Sequence, residues 1–144
     1  MQKQEQYNQW FARMVEKHCP KTFHEIKSHS DNGVAYLTAV INDPRGDRYK
    51  IAVSTYGCEL TVTCDNWHGH FDMFDDDNHE SEFSRVLNWI KEFQEDGIVI
   101  FTEYDGDRII HIMSAESGFK FQPSHARRAT VFSFSGKLDR TIGS

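Results

Sequence analysis

Two dipeptides constrain this chain more than any other feature. Asn32-Gly33 sits between TFHEIKSHS and VAYLTAVIND, and Asp105-Gly106 sits inside IVIFTEYDGDRIIHIMS. Both are favoured where the central residues of a tight turn take positive φ, and such turns join strands that pair antiparallel. The chain must therefore build at least two antiparallel hairpins, far apart in sequence.

The remaining periodicities fill in the elements. In KQEQYNQWFARMVEKHCP, Tyr7, Trp10, Phe11, Met14, Val15 and His18 recur at three- and four-residue steps, and Pro20 follows. This is an amphipathic helix over about residues 2–18, stopped by proline. From Thr22 the period becomes two. VAYLTAVIND is apolar on both faces and is expected in the interior of a sheet. DPRGDR is turn chemistry, YKIAVSTYG a third strand, and CELTVTCDNWHGHFD contains a fourth. SEFSRVLNWIKEFQEDG places Phe83, Val86, Leu87, Ile90 and Phe93 on one stripe, a second helix with Ser81 as N-cap and Gly97 as C-cap. The hairpin of residues 98–114, an irregular stretch, the strand ATVFSFSG and a short polar tail complete the chain. The order α-β-β-β-β-α-β-β-β predicts an α+β fold: a single globular domain over 1–144, with one antiparallel sheet of about six to seven strands and two packed helices.

Composition excludes several classes. At 38% apolar and 26% charged, the sequence is that of an ordinary folded protein. It has no apolar run of the roughly 18 residues a membrane helix needs, and MQKQEQYNQW lacks the features of a secretory signal, so a cytoplasmic location without membrane contact is expected. Cys19, Cys58 and Cys64 are odd in number and lack CxxC spacing, which suits reduced thiols.

Charge is distributed unevenly. Residues 1–70 carry 8 basic and 8 acidic side chains, residues 71–107 carry 2 and 12, and residues 108–144 carry 6 and 2. The net −10 of the middle segment repels nucleic acid and attracts basic proteins. HARR at 125–128, with Phe119 and Phe121 nearby, is a weak nucleic-acid signal against this balance, and the arginines are expected to pair within the protein; no nucleic-acid partner is expected.

DNWHGHFDMFDDD, residues 65–77, combines alternating histidines with the start of the acidic run. On a strand His68, His70 and Asp72 face one way, so two imidazoles and a carboxylate form a candidate metal triad for a small metal-dependent enzyme. The spacing echoes the HxHxDH signature of metallo-β-lactamase-like hydrolases, but Met73 and Phe74 stand after Asp72 and the closing histidine is missing. The favoured reading is a strand end followed by an acidic surface, with no metal, no cofactor and no catalytic residue. No GxSxG elbow, phosphate loop or GxGxxG occurs, and neither Cys58 nor Cys64 has a convincing base beside it.

GCELTVTCDNWHGHFD at 57–72 and VFSFSGKLDRTI at 131–142, on a small acidic α+β chain, resemble the immunity partners of contact-dependent and other polymorphic bacterial toxins. The resemblance implies a cytoplasmic inhibitor that works by binding a cognate, basic toxin domain, such as a nuclease, rather than by chemistry. The partner surface then falls on Asp72, Phe74, Asp75, Asp76, Asp77, Glu80 and Glu82, where acid supplies steering and aromatic groups supply affinity. A non-catalytic adaptor module is the remaining alternative. Oligomeric state is left open.

Overall fold

The computed structural model describes residues 3–18, 21–43, 49–71, 79–123 and 127–143. The fold is α+β, with two α-helices and two antiparallel sheets of five and four strands among the described residues. The elements are α1 (Lys3–Glu16), β1 (Glu25–Asp31), β2 (Val34–Asn42), β3 (Tyr49–Ser54), β4 (Thr61–Cys64), β5 (Trp67–His70), α2 (His79–Gln94), β6 (Ile98–Asp105), β7 (Arg108–Glu116), β8 (Arg128–Phe132) and β9 (Arg140–Gly143). The single sheet of six to seven strands expected from the sequence is corrected to two sheets with nine strands. The chain divides into two compact units, Met1–Val86 and Leu87–Ser144.

In the first unit the strands follow chain order, β1-β2-β3-β4-β5, each antiparallel to the next. Asn32 (φ 51°) and Gly33 (φ 80°) make the expected primed turn, and Asp31 pairs with Val34 across it. The run read as one fourth strand is instead a hairpin. Asp65 takes φ 53°, Cys64 pairs with Trp67, and the chain folds back at Asp65-Asn66. Aspartate tolerates this left-handed geometry better than most residues, so the reversal is encoded locally by a dipeptide other than Asn-Gly or Asp-Gly.

One face of this sheet carries Ala39, Ile41, Ile51, Val53, Val62 and Cys64, all fully buried. The apolar stripe of α1 supplies Tyr7, Phe11 and Val15, and the Phe83 ring meets Phe11, Phe23, Trp10 and His18 at centroid distances of 6.1, 6.3, 6.1 and 5.8 Å. Polar contacts also tie α1 to the strands. Asn8 donates to the Ala35 carbonyl at 2.8 Å and accepts from Thr55 Oγ1 at 2.6 Å and Gln4 Nε2 at 2.9 Å. Thr55 Oγ1 in turn accepts from the Leu37 amide at 2.9 Å. A buried amide and hydroxyl that satisfy one another give the helix a register that nonspecific apolar packing would not.

The second unit has strand order β7-β6-β8-β9. Its turn is displaced by one residue from expectation: Asp105 pairs with Arg108, so Gly106 (φ 62°) and Asp107 are the loop. Glycine in the first central position is the primed-turn alternative in which only that residue needs positive φ. Phe93 on the last turns of α2 stacks on Trp89 at 5.1 Å and meets Phe132 and Phe134 at 6.2 and 5.9 Å. On the opposite face Val99, Phe101 and Val131 form a core with Met113, Ala115, Phe121 and Ile142, and the Phe121 ring stacks on Phe101 at 4.7 Å.

The ends of α2 also depart from expectation. The helix begins at His79, two residues before Ser81. At its C-terminus Asp96, not Gly97, takes the left-handed conformation, with φ 60°. The Gly97 amide donates to the Glu92 carbonyl at 2.8 Å and the Asp96 amide to the Phe93 carbonyl at 3.0 Å, the paired bonds of a Schellman cap. Asp96 is held there because its carboxylate accepts from the Ser135 amide at 3.2 Å and the Ser135 hydroxyl at 2.5 Å. Asp139 does the same for Ser133, accepting from its amide at 2.6 Å and its hydroxyl at 2.9 Å. These bonds close the turn that brings β9 back alongside β8, so the segment read as a polar tail becomes a fourth strand.

The Asn8 network yields a stability expectation. Asn8→Ala strands the Thr55 hydroxyl and the Ala35 carbonyl in a buried site, and should cost about 1–3 kcal/mol. Urea unfolding should show a lower midpoint with an unchanged slope. A variant as stable as the parent would show that the helix register does not depend on this side chain.

Candidate functional site

Two places bring chemistry-bearing side chains together, both in the first unit. One is the open face of the five-stranded sheet. Residues directly opposite one another in antiparallel strands share a face, so the pairing defines rows. Lys27, Thr38, Ser54, Thr61 and His70 form one row across all five strands. Val40, Ala52, Thr63 and His68 form the next, and His29 opposes Tyr36 beyond the first. Thr63, His68 and His70 are exposed, while Lys27, Thr38, Ser54, Thr61 and Tyr36 are half-buried. His29 stacks on Tyr36 at 5.0 Å, and Tyr56, itself 50% exposed, meets Tyr36 edge-on at 5.3 Å. The expectation that β2 is covered on both faces therefore holds only at its C-terminal end, where Val40 is 1% exposed; Val34 at its start is 41% exposed.

This placement resolves the WHGH stretch. β5 is the edge strand, and its alternation sends Trp67 and Gly69 toward the face that α1 covers and His68 and His70 to the open one. The Trp67 ring lies over Gly69 so closely that a Cβ there would collide with Cζ2 and Cη2. Glycine at 69 is thus required by the indole, not by the histidines. His70 Nδ1 lies 2.8 Å from Glu59 Oε1 and 3.1 Å from Thr61 Oγ1, and its ring meets that of His68 edge-on at 5.5 Å. Asp72, the third member of the expected triad, lies outside the described residues. Among the described residues no group of three or more His, Cys, Asp or Glu side chains is placed to hold a metal ion.

The other place is the start of α2, where the acidic segment meets α1. Of the expected partner-binding residues, Asp72, Phe74, Asp75, Asp76 and Asp77 lie outside the described residues. Glu80 is exposed on the first turn of α2. Glu82 is not on the surface, and its placement there is corrected: it is 6% exposed. Its Oε1 accepts hydrogen bonds from the Tyr7 hydroxyl and, at 3.1 Å, from the Leu60 amide. A carboxylate gives up its hydration only where donors replace it, and here an α1 side chain and a backbone amide do so. His79 sits beside this bond, 5.1 Å from the Tyr7 ring and 5.3 Å from the Trp10 ring. Arg85 donates to the Phe71 carbonyl at 3.0 Å, fixing where the chain leaves β5.

Burial, then the Glu82 hydrogen bond and charge, push the Tyr7 phenol far above its ordinary pKa. Sequence reasoning assigned Glu82 to solvent and gave Tyr7 no polar role. The signal was present: extending the stripe Phe93, Trp89, Val86 back by four residues lands on Glu82. The Glu59 partner of His70 had no local signal, since eleven positions separate them.

Cys58 is half-buried and Cys64 buried, and the Cys58 Sγ donates to Gln4 Oε1 at 3.6 Å. Arg128, expected to pair with acid, instead lies over the Tyr104 ring at 4.3 Å and donates to the Gly106 carbonyl at 3.3 Å. No described helix is long and apolar enough to cross a membrane.

Tyr7→Phe removes one donor from the buried Glu82 carboxylate and should destabilise the protein by about 1–3 kcal/mol near neutral pH. A phenol whose pKa is raised by folding keeps its proton in the folded state where the unfolded chain loses it. Stability from Tyr7 is therefore complete below about pH 10 and is lost as pH rises beyond it. Denaturation curves taken from pH 8 to 11 should fall more steeply for the parent than for Tyr7→Phe; parallel profiles would show that Tyr7 does not couple ionisation to folding. In comparisons with known proteins, no family model, no curated protein and no solved structure matches this chain.

Proposed function

We propose that this chain is a toxin-neutralising immunity protein, which binds a cognate bacterial toxin domain and blocks it through an acidic surface. The observation that carries this reading is the net −10 of residues 71–107 in a chain whose first 70 residues are neutral. Two of those twelve acids, Glu82 and Glu103, are buried, whereas Glu80, Glu92, Glu95, Asp105 and Asp107 are exposed. On α2 the exposed positions Glu80, Ser84, Asn88 and Glu92 recur at four-residue steps, giving the helix a polar outer face with two carboxylates, and the exposed Glu95 follows just past its end. The resemblance of residues 57–72 and 131–142 to immunity partners supports the same reading.

The proposed contact surface comprises Asp72, Phe74, Asp75, Asp76, Asp77 and Glu80, with Glu82 removed from it because its carboxylate is bound within the protein. Acid on this surface attracts the basic cleft of a toxin and excludes its substrate, and Phe74 provides the apolar anchor. A cytoplasmic location follows from the proposed role, since the toxin is met where it acts.

The test begins with the large secreted protein that this reading expects to be encoded directly upstream. Its C-terminal domain, expressed in the cytoplasm, should stop growth, and this protein should restore it. Failure to restore growth removes the immunity reading. Stopped-flow association with that domain should slow about 10- to 1,000-fold when Asp75, Asp76 and Asp77 are all changed to Lys, and the parent rate should fall steeply with salt. A triple variant that associates as fast as the parent removes this surface while leaving immunity in place.

A further inference from the structure

On the open face of the first sheet, we infer that His68 and His70 form a binding site for a borderline divalent transition metal, zinc above all, with Glu59 as the outer-shell group that orients it. This does not depend on the immunity reading and does not require a metal-dependent reaction.

Three observations carry it. First, the two histidines alternate on an edge strand and project to the same open face, both exposed to solvent. An ion therefore reaches them without any rearrangement of the core. Second, their ring centroids are 5.5 Å apart. Two imidazoles whose nitrogens each lie about 2.0–2.1 Å from one tetrahedral zinc have centroids separated by about 5–5.5 Å, so the strand already supplies the spacing.

Third, the chemistry of His70 is polarised in the direction a metal requires. The hydrogen bonds and ion pair of its ring among the described residues are all made by Nδ1, to Glu59 Oε1 at 2.8 Å and Thr61 Oγ1 at 3.1 Å. A carboxylate only accepts, so Nδ1 carries the proton and Nε2 keeps its lone pair on the side away from Glu59. This is the carboxylate–histidine arrangement that fixes tautomer and ring orientation in metal sites. His68 makes no hydrogen bond among the described residues, so no bond of its own must break for it to ligate.

Two protein nitrogens leave two tetrahedral positions for water. Such a site favours zinc, nickel and copper, which suit imidazole, and disfavours magnesium and calcium, which demand oxygen. It is also distinct from the triad expected from sequence: Glu59 acts through His70 rather than on the ion, and Asp72 is not needed.

The test is titration of the full-length, chelator-stripped protein with zinc chloride, followed by calorimetry and by thermal melting. One zinc per chain should bind and raise the melting temperature, while magnesium chloride should do neither. His68→Ala and His70→Ala should each abolish the heat of binding, His29→Ala should leave it unchanged, and Glu59→Gln should weaken affinity about 10- to 100-fold. The metal-free His68 and His70 variants should melt at the parent temperature, because both side chains are exposed on the open face. Zinc binding that survives in both His68→Ala and His70→Ala, or no heat up to millimolar zinc, overturns the site. Parent affinity in Glu59→Gln overturns the positioning role of Glu59.

Discussion

A carboxylate cannot be taken out of water unless donors replace the water, and that requirement organises the first unit of this protein. Glu82 stands at the start of α2 with its side chain turned inward, and the donors it finds come from two other elements, the Tyr7 hydroxyl of α1 and the Leu60 amide that leads into β4. Breaking any one of the three leaves a polar group unpaired in a closed environment, so the elements that carry them are tied together more specifically than apolar packing alone would manage. The aromatic residues around the bond, Trp10, Phe83 and His79, gather because this anchor fixes where the helix begins.

The same unit illustrates how one helix divides a sheet into two kinds of surface. The α1 stripe and the Asn8–Thr55 bonds pack on one face of this sheet, where Ala39, Ile41, Ile51, Val53, Val62 and Cys64 are fully buried. The opposite face carries hydroxyls, imidazoles and Tyr36 beside Val34, Val40 and Ala52, because residues that remain in contact with water are not required to be apolar. The edge strand β5 shows the division in four residues: Trp67 and Gly69 serve the covered side, with the indole laid over the glycine, and His68 and His70 serve the open one.

Much of the local structure was legible in the sequence. Both helices follow from their apolar stripes, and the Asn32-Gly33 hairpin forms with the register its turn demands. The common orientation of His68 and His70 follows from strand alternation alone. Four features were not legible. The hairpin at Asp65-Asn66 went unseen because its turn carries no glycine, and it inverts the alternation: Cys64 pairs with Trp67, so the odd positions 67 and 69 take the face that the even positions 62 and 64 hold before the turn. The capping role of Asp96 depends on Ser135, which is far from it in sequence, and the return of β9 depends on Asp139 holding Ser133 across an irregular turn. Glu82 was read as surface acid because charge in a first helical turn usually is, and only the presence of Tyr7 and the Leu60 amide makes burial tolerable.

By itself the sequence determined the element types, the two-residue reversals and the accumulation of acid after position 71, since periodicity, turn dihedrals and charge are properties of neighbouring residues. Tertiary structure alone decided that the strands divide between two sheets, that Glu82 leaves the acidic surface, and that Glu59 meets His70. Each of those outcomes depends on which distant donor, acceptor or strand edge is brought within hydrogen-bonding distance, and no local pattern encodes that choice.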